Sequence, residues 1–210
     1  MEGIEKTYYQ SLYQLAATLN SAQSPEKILR SIVEDVAKAM DAKGCSLLLL
    51  TPDKEALLRI AAYGLSNWYV RKGPVSTDKS MSESLLGKAV AVLDATTDDR
   101  IQFRKQVAQE GIASILSVPV KLREEVIGVM RVYTSEPRHF TDADTYFAGA
   151  AANFGAIALE SARFLQGLQK DYDDFREGLL QWHADLGYEW GSEESVVPAE
   201  EKGPVMPPGG

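Results

Sequence analysis

The stretch SILSVPVKLREEVIGVMRVYTSEPRHFTDAD, residues 114–144, holds two apolar runs separated by the charged trio Arg123-Glu124-Glu125. Runs this rich in Val and Ile favour the pleated, half-buried surface of a sheet, so strands are predicted at about 113–121 and 126–134 with a turn between them. Thr141 suits a helix N-cap, and Asp144 three residues later completes a capping-box pattern. A hairpin followed by a helix, with no helix crossing between the strands, points to an antiparallel sheet.

Upstream the same grammar recurs. GCSLLLL, residues 44–50, is too short and too apolar for a surface helix and reads as a central strand. Thr51-Pro52-Asp53-Lys54 makes a turn, and residues 56–63 return as a second strand. Residues 5–22 form a helix with Tyr8, Leu12, Leu15 and Leu19 on one stripe. Ser24 can cap the next helix and Pro25 fits its first position. That helix, residues 25–42, lays Ile28, Ile32, Val36 and Met40 on one face. Gly64, Gly73, Pro74 and Gly87 break the chain between 64 and 88 into irregular pieces. Short helices are predicted at 67–71 and 79–86 and a short strand at 89–93. A helix opens at Asp98 or Asp99 and runs to Glu110, where Gly111 ends it. The fold class is α+β, an antiparallel sheet of about five to six strands flanked by helices.

The last helix is the longest. Phe147, Ala151, Phe154, Ala158, Ser161, Leu165, Leu168, Tyr172, Phe175, Leu179 and Trp182 alternate steps of four and three. A period kept for about five heptads predicts a coiled-coil seam with a second helix. Gly167 and Gly178 each weaken it by up to about 1 kcal/mol relative to alanine. After Trp190 the sequence is rich in Gly, Pro and Glu, and a disordered tail is predicted. The expected organisation is an N-terminal helix at 1–22, a folded domain at 23–168, a helical extension at 169–190 and a tail at 191–210.

The 22 Lys and Arg are scattered among 30 Asp and Glu, for a net charge of −8. Binding to a phosphate backbone or an anionic membrane needs clustered cations, so neither nucleic acid nor membrane is expected as a partner. No apolar run approaches the roughly 20 residues that span a bilayer, and the start lacks signal-peptide character, so a cytoplasmic protein is expected. One cysteine, Cys45, allows no internal disulfide and no cysteine cluster; within GCSLLLL it reads as a buried thiol.

Catalytic signals are sparse. His139 and His183 stand apart, with no ligand partner at helical spacing. No nucleophile elbow or phosphate loop is present. Asp94, Asp98 and Asp99 cluster, and read as helix-capping or loop carboxylates rather than as a metal site. No catalytic residue and no metal ligand is therefore assigned. What remains is a pocket between the sheet and the irregular cover of residues 64–110. Its candidate lining is Ser46, Ser114 and Ser117 on the strands, Asp94 at a strand end, and Met81, Leu85, Phe103 and Gln106 on the covering helices.

Several stretches, in order, resemble the GAF domain family. GCSLLLLTPD is similar to its first strand and turn, LLRIAAYGL to its second strand, and GKAVAVLDATTDDR to its glycine–strand–aspartate–loop pattern. EGIASILSVPVKLREEVIGVMRVYTSEPRHFTDAD resembles the Ser-x-x-x-Val-Pro strand, the Ile-Gly-Val strand and the Arg-x-Phe-Thr helix entry. The resemblance spans about residues 8–168. It implies a PAS-like sheet, a small molecule held between sheet and covering helices, and a homodimer built on the first and last helices. Ser46 and Asp94 match ligand-contacting positions of the cyclic-nucleotide-binding branch, though the rest of that branch's pattern is missing.

Other departures narrow the expectation. The covering region has no cysteine for a covalent bilin, and no pocket histidine for haem is placed there. Free methionine sulfoxide reductases resemble a lone GAF domain but use pocket cysteines, which Cys45 alone does not supply. The expected function is therefore a sensor that binds a small molecule of unassigned identity and signals through dimeric helices to a separate output protein. A ligand-free interaction scaffold and a Cys45-dependent reductase are the alternatives. No cofactor is assigned.

Overall fold

Both apolar runs of residues 114–144 form strands, and the charged trio turns the chain between them with Arg123 at a left-handed φ of 56°. The computed structural model describes residues 2–21, 23–77 and 82–185; in the last helix it describes side chains as far as Phe164 and then Asp174, Arg176 and Glu177. In chain order the elements are α1 (Glu2–Leu19), α2 (Pro25–Ala39), β1 (Gly44–Leu50), β2 (Ala56–Tyr63), α3 (Asn67–Val70), β3 (Val75–Ser76), α4 (Ser82–Leu85), β4 (Val90–Val92), α5 (Arg104–Glu110), β5 (Ser114–Leu122), β6 (Glu125–Thr134) and α6 (Asp142–Asp185). The chain divides into two units, Met1–Leu165 and Gln166–Gly210. The second contributes helical backbone to Asp185; the tail expected at 191–210 lies outside the described residues.

The six strands form one sheet in the order β3-β2-β1-β6-β5-β4, antiparallel throughout. The β1–β6 pair closes the sheet between the two hairpins. A Cβ on Gly128 of β6 would lie 2.2 Å from the Leu48 carbonyl oxygen, so the backbones meet there at a distance only glycine permits. The lone glycine in VIGVM marks that approach. β3 was not anticipated; two residues flanked by Gly73-Pro74 carry no alternation to read, and the strand exists through its pairing with β2.

Alternation along the strands separates two faces. Cys45 and Leu47 of β1, Leu116, Val118 and Val120 of β5, and Met130 and Val132 of β6 pack with α1, α2 and α6 in the main core. α2 presents Ile28, Ile32, Val36 and Met40 to it, as its periodicity predicts. The opposite face carries Leu48, Val129, Ile115 and Tyr133 beneath Tyr69, Ile101, Val107 and Phe103 from the irregular segment.

Helix ends follow local chemistry. Thr141 Oγ1 accepts from the Asp144 amide at 3.2 Å, and Asp144 Oδ2 accepts from the Thr141 amide and hydroxyl at 2.8 and 2.9 Å, the reciprocal box its spacing predicts. Ser24 takes the N-cap backbone conformation before Pro25, but its hydroxyl makes no cap bond. α5 is shorter than the sequence predicts. Asp98 accepts from the Arg100 amide at 2.9 Å and grips its guanidinium, which holds a turn there, and the helix begins only at Arg104. Gly111 ends it at a left-handed φ of 71°.

The seam read along the last helix divides. Phe147, Ala151 and Ala158 are buried in the chain's own core and Phe154 packs against it, so this part does not face a second copy. The side chains from Leu165 to Trp182 in that series lie outside the description.

Candidate functional site

The sheet face turned away from α1, α2 and α6 is apolar at its margins and polar through its middle. Strand register sets Ala62, Ser46, Arg131, Ser117 and Val90 in one row across β2, β1, β6, β5 and β4. Arg131 stands at its centre, 3% exposed. Its Nε donates to Ser117 Oγ at 3.2 Å, and it also bonds the Tyr133 side chain. The Tyr133 hydroxyl in turn shares a hydrogen bond with Ser46 Oγ at 2.9 Å. Burial lowers the Arg131 pKa from the ordinary arginine value, and the two tyrosines Tyr133 and Tyr69 oppose that shift.

A second polar group covers this row. Ser66 caps α3, and Glu110 of α5 accepts from the Ser66 amide at 2.8 Å and from its hydroxyl. This fixes α3 so that Tyr69 is fully buried, edge-on to Tyr133 at 6.2 Å between ring centroids. Arg59 of β2 donates through Nη1 to the carbonyls of Val70 at 3.1 Å and Tyr69 at 3.4 Å, where a helix end favours a cation. The Lys72 ammonium lies 3.3 Å from the Tyr69 ring centroid and 5.1 Å from that of Phe103. Burial, then the charges of Arg59 and Arg131, push the Lys72 pKa down to about 6, against the pull of Glu110. Three buried donors in this group, Arg59 Nε, Arg59 Nη2 and Tyr69 Oη, have no hydrogen-bond partner among the described residues.

The sequence candidates distribute unevenly about this centre. Ser46 and Ser117 flank Arg131 in the polar row. Leu85 and Phe103 pack against Leu48, Leu57, Val75 and Val129 at its apolar margin. Gln106 is half-buried on α5, and Met81 lies outside the described residues. Asp94 is exposed and turned to its own loop, accepting from the Thr96 amide at 2.9 Å and hydroxyl at 2.6 Å. Ser114, buried at the start of β5, bonds the Leu93 carbonyl and the Arg138 amide, which ties the strand to neighbouring loops. Cys45 is fully buried on the helix side of β1, the face opposite Ser46, and burial pushes its thiol pKa up. Among the described residues, no cluster of His, Cys, Asp and Glu forms a candidate metal site.

Arg59, Tyr69, Lys72 and Arg131 were missed. Arg131 was legible, a lone charge inside VIGVMRVYT, as was Arg59 inside LLRIAA. Lys72 carries no such mark; its burial depends on where the loop after α3 settles.

A six-stranded antiparallel sheet with packed terminal helices on one face and a loop-and-helix cover over buried polar groups on the other defines an α+β domain. The GAF domain family model matches residues 22–160, and the chain belongs to that family. Solved structures agree on the fold. The GAF domain of a phosphoenolpyruvate-protein phosphotransferase from Coxiella burnetii is 20% identical with a TM-score of 0.69, over 78% of this chain and 98% of that one. Its counterpart from Acinetobacter is 24% identical with a TM-score of 0.63, over 74% and 93%. The free methionine-R-sulfoxide reductase from Neisseria meningitidis, solved with its substrate, is 16% identical with a TM-score of 0.62, over 75% and 91%. No curated protein matches the chain.

Proposed function

We propose that this GAF domain is a cytoplasmic sensory module that binds a small molecule over the Ser46–Arg131–Ser117 row and signals, as a homodimer, through α1 and α6. The observation that carries the reading is the polarity of a buried face. An apolar interior would be cheaper to fold, because each buried, unpartnered donor costs about 1–3 kcal/mol. Such a cost persists at sites kept for another purpose. The position of Cys45 on the other face, with its thiol pKa raised, supports binding rather than thiol redox chemistry. Among the described residues no helix is long and apolar enough to cross a membrane.

The dimer rests on a stripe one residue removed from the buried seam. Tyr146, Ile157 and Phe164 of α6 are 78%, 48% and 67% exposed, and steps of four and three join them through Ala150, Asn153 and Glu160. Tyr9 and Tyr13 of α1 are 74% and 75% exposed, and Tyr9 lines a groove with Tyr146 and Ala150. A second copy is the occupant that a heptad-spaced stripe with exposed Tyr146, Ile157 and Phe164 fits.

Thermal-shift screening of the full chain against a metabolite library tests the binding reading. At least one compound is expected to raise the melting temperature of the wild type and to lose that effect in Ser46→Phe, which fills the row. A library without a single shift, in a chain that folds, favours the ligand-free scaffold.

A further inference from the structure

The donors left over on the covered face share one geometry. Nε–H and the adjacent Nη2–H form the side-on edge of a guanidinium, two parallel donors spaced to meet the two oxygens of a carboxylate. In Arg59 both are buried and without a partner among the described residues, while Nη1 alone is occupied by the α3 carbonyls. The same edge shows its preferred guest elsewhere in the chain: Arg100 grips Asp98 through Nε at 3.0 Å and Nη2 at 2.6 Å. Tyr69, under the Arg59 guanidinium at 5.5 Å from its ring centroid, is fully buried, and its hydroxyl has no partner among the described residues. Lys72 sits against the same ring.

We propose that Arg59, the Tyr69 hydroxyl and Lys72 bind the carboxylate of a small organic acid. This rests on the sensory reading above and narrows its ligand. The fork takes both carboxylate oxygens, Tyr69 donates to a remaining lone pair, and Lys72 supplies a charge. Glu110, the carboxylate that acts on Lys72 among the described residues, is committed to Ser66. A tetrahedral phosphate brings more oxygens than these donors satisfy. Phe103 joins Lys72 to the apolar margin of Leu57 and Val75, which suits the carbon body of an acid.

Calorimetry and thermal shift of the full chain, with acetate, butyrate, benzoate and succinate, the methyl ester of each, and inorganic phosphate, test the assignment. One acid or more is expected to bind saturably while its ester does not. Arg59→Gln is expected to weaken that binding about tenfold or more, roughly one charge-assisted pair. Tyr69→Phe, which keeps the ring and its packing, weakens it several-fold, and Arg100→Gln leaves it unchanged. Acids and esters binding alike, phosphate binding without any acid, or affinity surviving both Arg59→Gln and Tyr69→Phe would overturn the proposal. If only uncharged compounds bind, and Ser46→Phe abolishes their binding, the carboxylate assignment falls and the sensory reading stands. If no compound of any charge binds, both fall.

Discussion

Tyr69 and Lys72 are the residues where binding and stability pull apart. The buried Tyr69 hydroxyl lacks a partner among the described residues, so Tyr69→Phe is expected to stabilise the free domain by about 1 kcal/mol while weakening acid binding. Urea denaturation with and without acid separates the two effects. Lys72 adds a pH signature. Its pKa of about 6 lies below the roughly 10.4 of an unfolded lysine, so between those values the unfolded chain binds the extra proton and stability rises with pH. Lys72→Met is therefore expected to melt above the wild type at pH 7, with the gap closing toward pH 10. An incoming carboxylate favours the charged ammonium against Arg59 and Arg131, with Tyr69 and Glu110 the other groups acting around it. Acid binding should then draw protons from solution at neutral pH, and calorimetry in two buffers of different ionisation enthalpy measures the uptake. Asp144 carries the opposite sign. Burial raises its pKa, but bonds from Tyr8 and Thr141 and the Arg138 charge outweigh that and hold it below the aspartate range. Its contribution is complete above that range and lost as pH falls through the depressed value. Asp144→Ala is expected to cost roughly 3 kcal/mol, because it strands Arg138 and unties α1 from the start of α6. At this scale the sequence showed part of the buried polar row that forms the candidate site. Serines in apolar strands marked the row, whereas Asp94 and Ser114 carry the same residue-level signal and serve turns and loops.

Among the elements, strands and helix ends were legible wherever the signal is local. The two hairpins, the α2 stripe, the Thr141–Asp144 box and the Gly111 stop all follow from spacing within a few residues. Gly128 also shows in sequence, and the β1–β6 contact explains it. Gly128→Ala is expected to destabilise the domain by roughly 1–3 kcal/mol through forced separation of β1 and β6, measurable by chemical denaturation. What the sequence hid depends on partners far along the chain. β3 exists because β2 offers an edge, and α5 starts late because the Asp98–Arg100 pair wins its first turn. The α6 periodicity was correct and its assignment to a partner helix was not, for Phe147 to Ala158. One stripe of a helix cannot serve two neighbours, and here the domain core takes it. Ile157→Glu with Phe164→Glu is accordingly expected to weaken self-association, and so is truncation before Gly167. Sedimentation equilibrium reads both, and an unchanged dimer or a monomeric wild type contradicts the α6 contact.

Across the first unit, the two faces of the sheet differ in chemistry. The helix side is a continuous apolar core, and the covered side keeps buried cations and donors without a partner among the described residues, at a cost in stability. Strand alternation makes this division possible, since neighbouring residues such as Cys45 and Ser46 serve opposite faces. A ligand influences such a domain only to the extent that it binds one conformation better than another, about 1.4 kcal/mol for a tenfold preference. Hydrogen–deuterium exchange of the full chain, with and without the acid that most raises its melting temperature, tests where that preference acts. Slower exchange is expected in residues 66–77 and along β1 and β6. Protection confined to α1 and α6, with the strands and the α3 region unchanged, would contradict a ligand seated on the covered face.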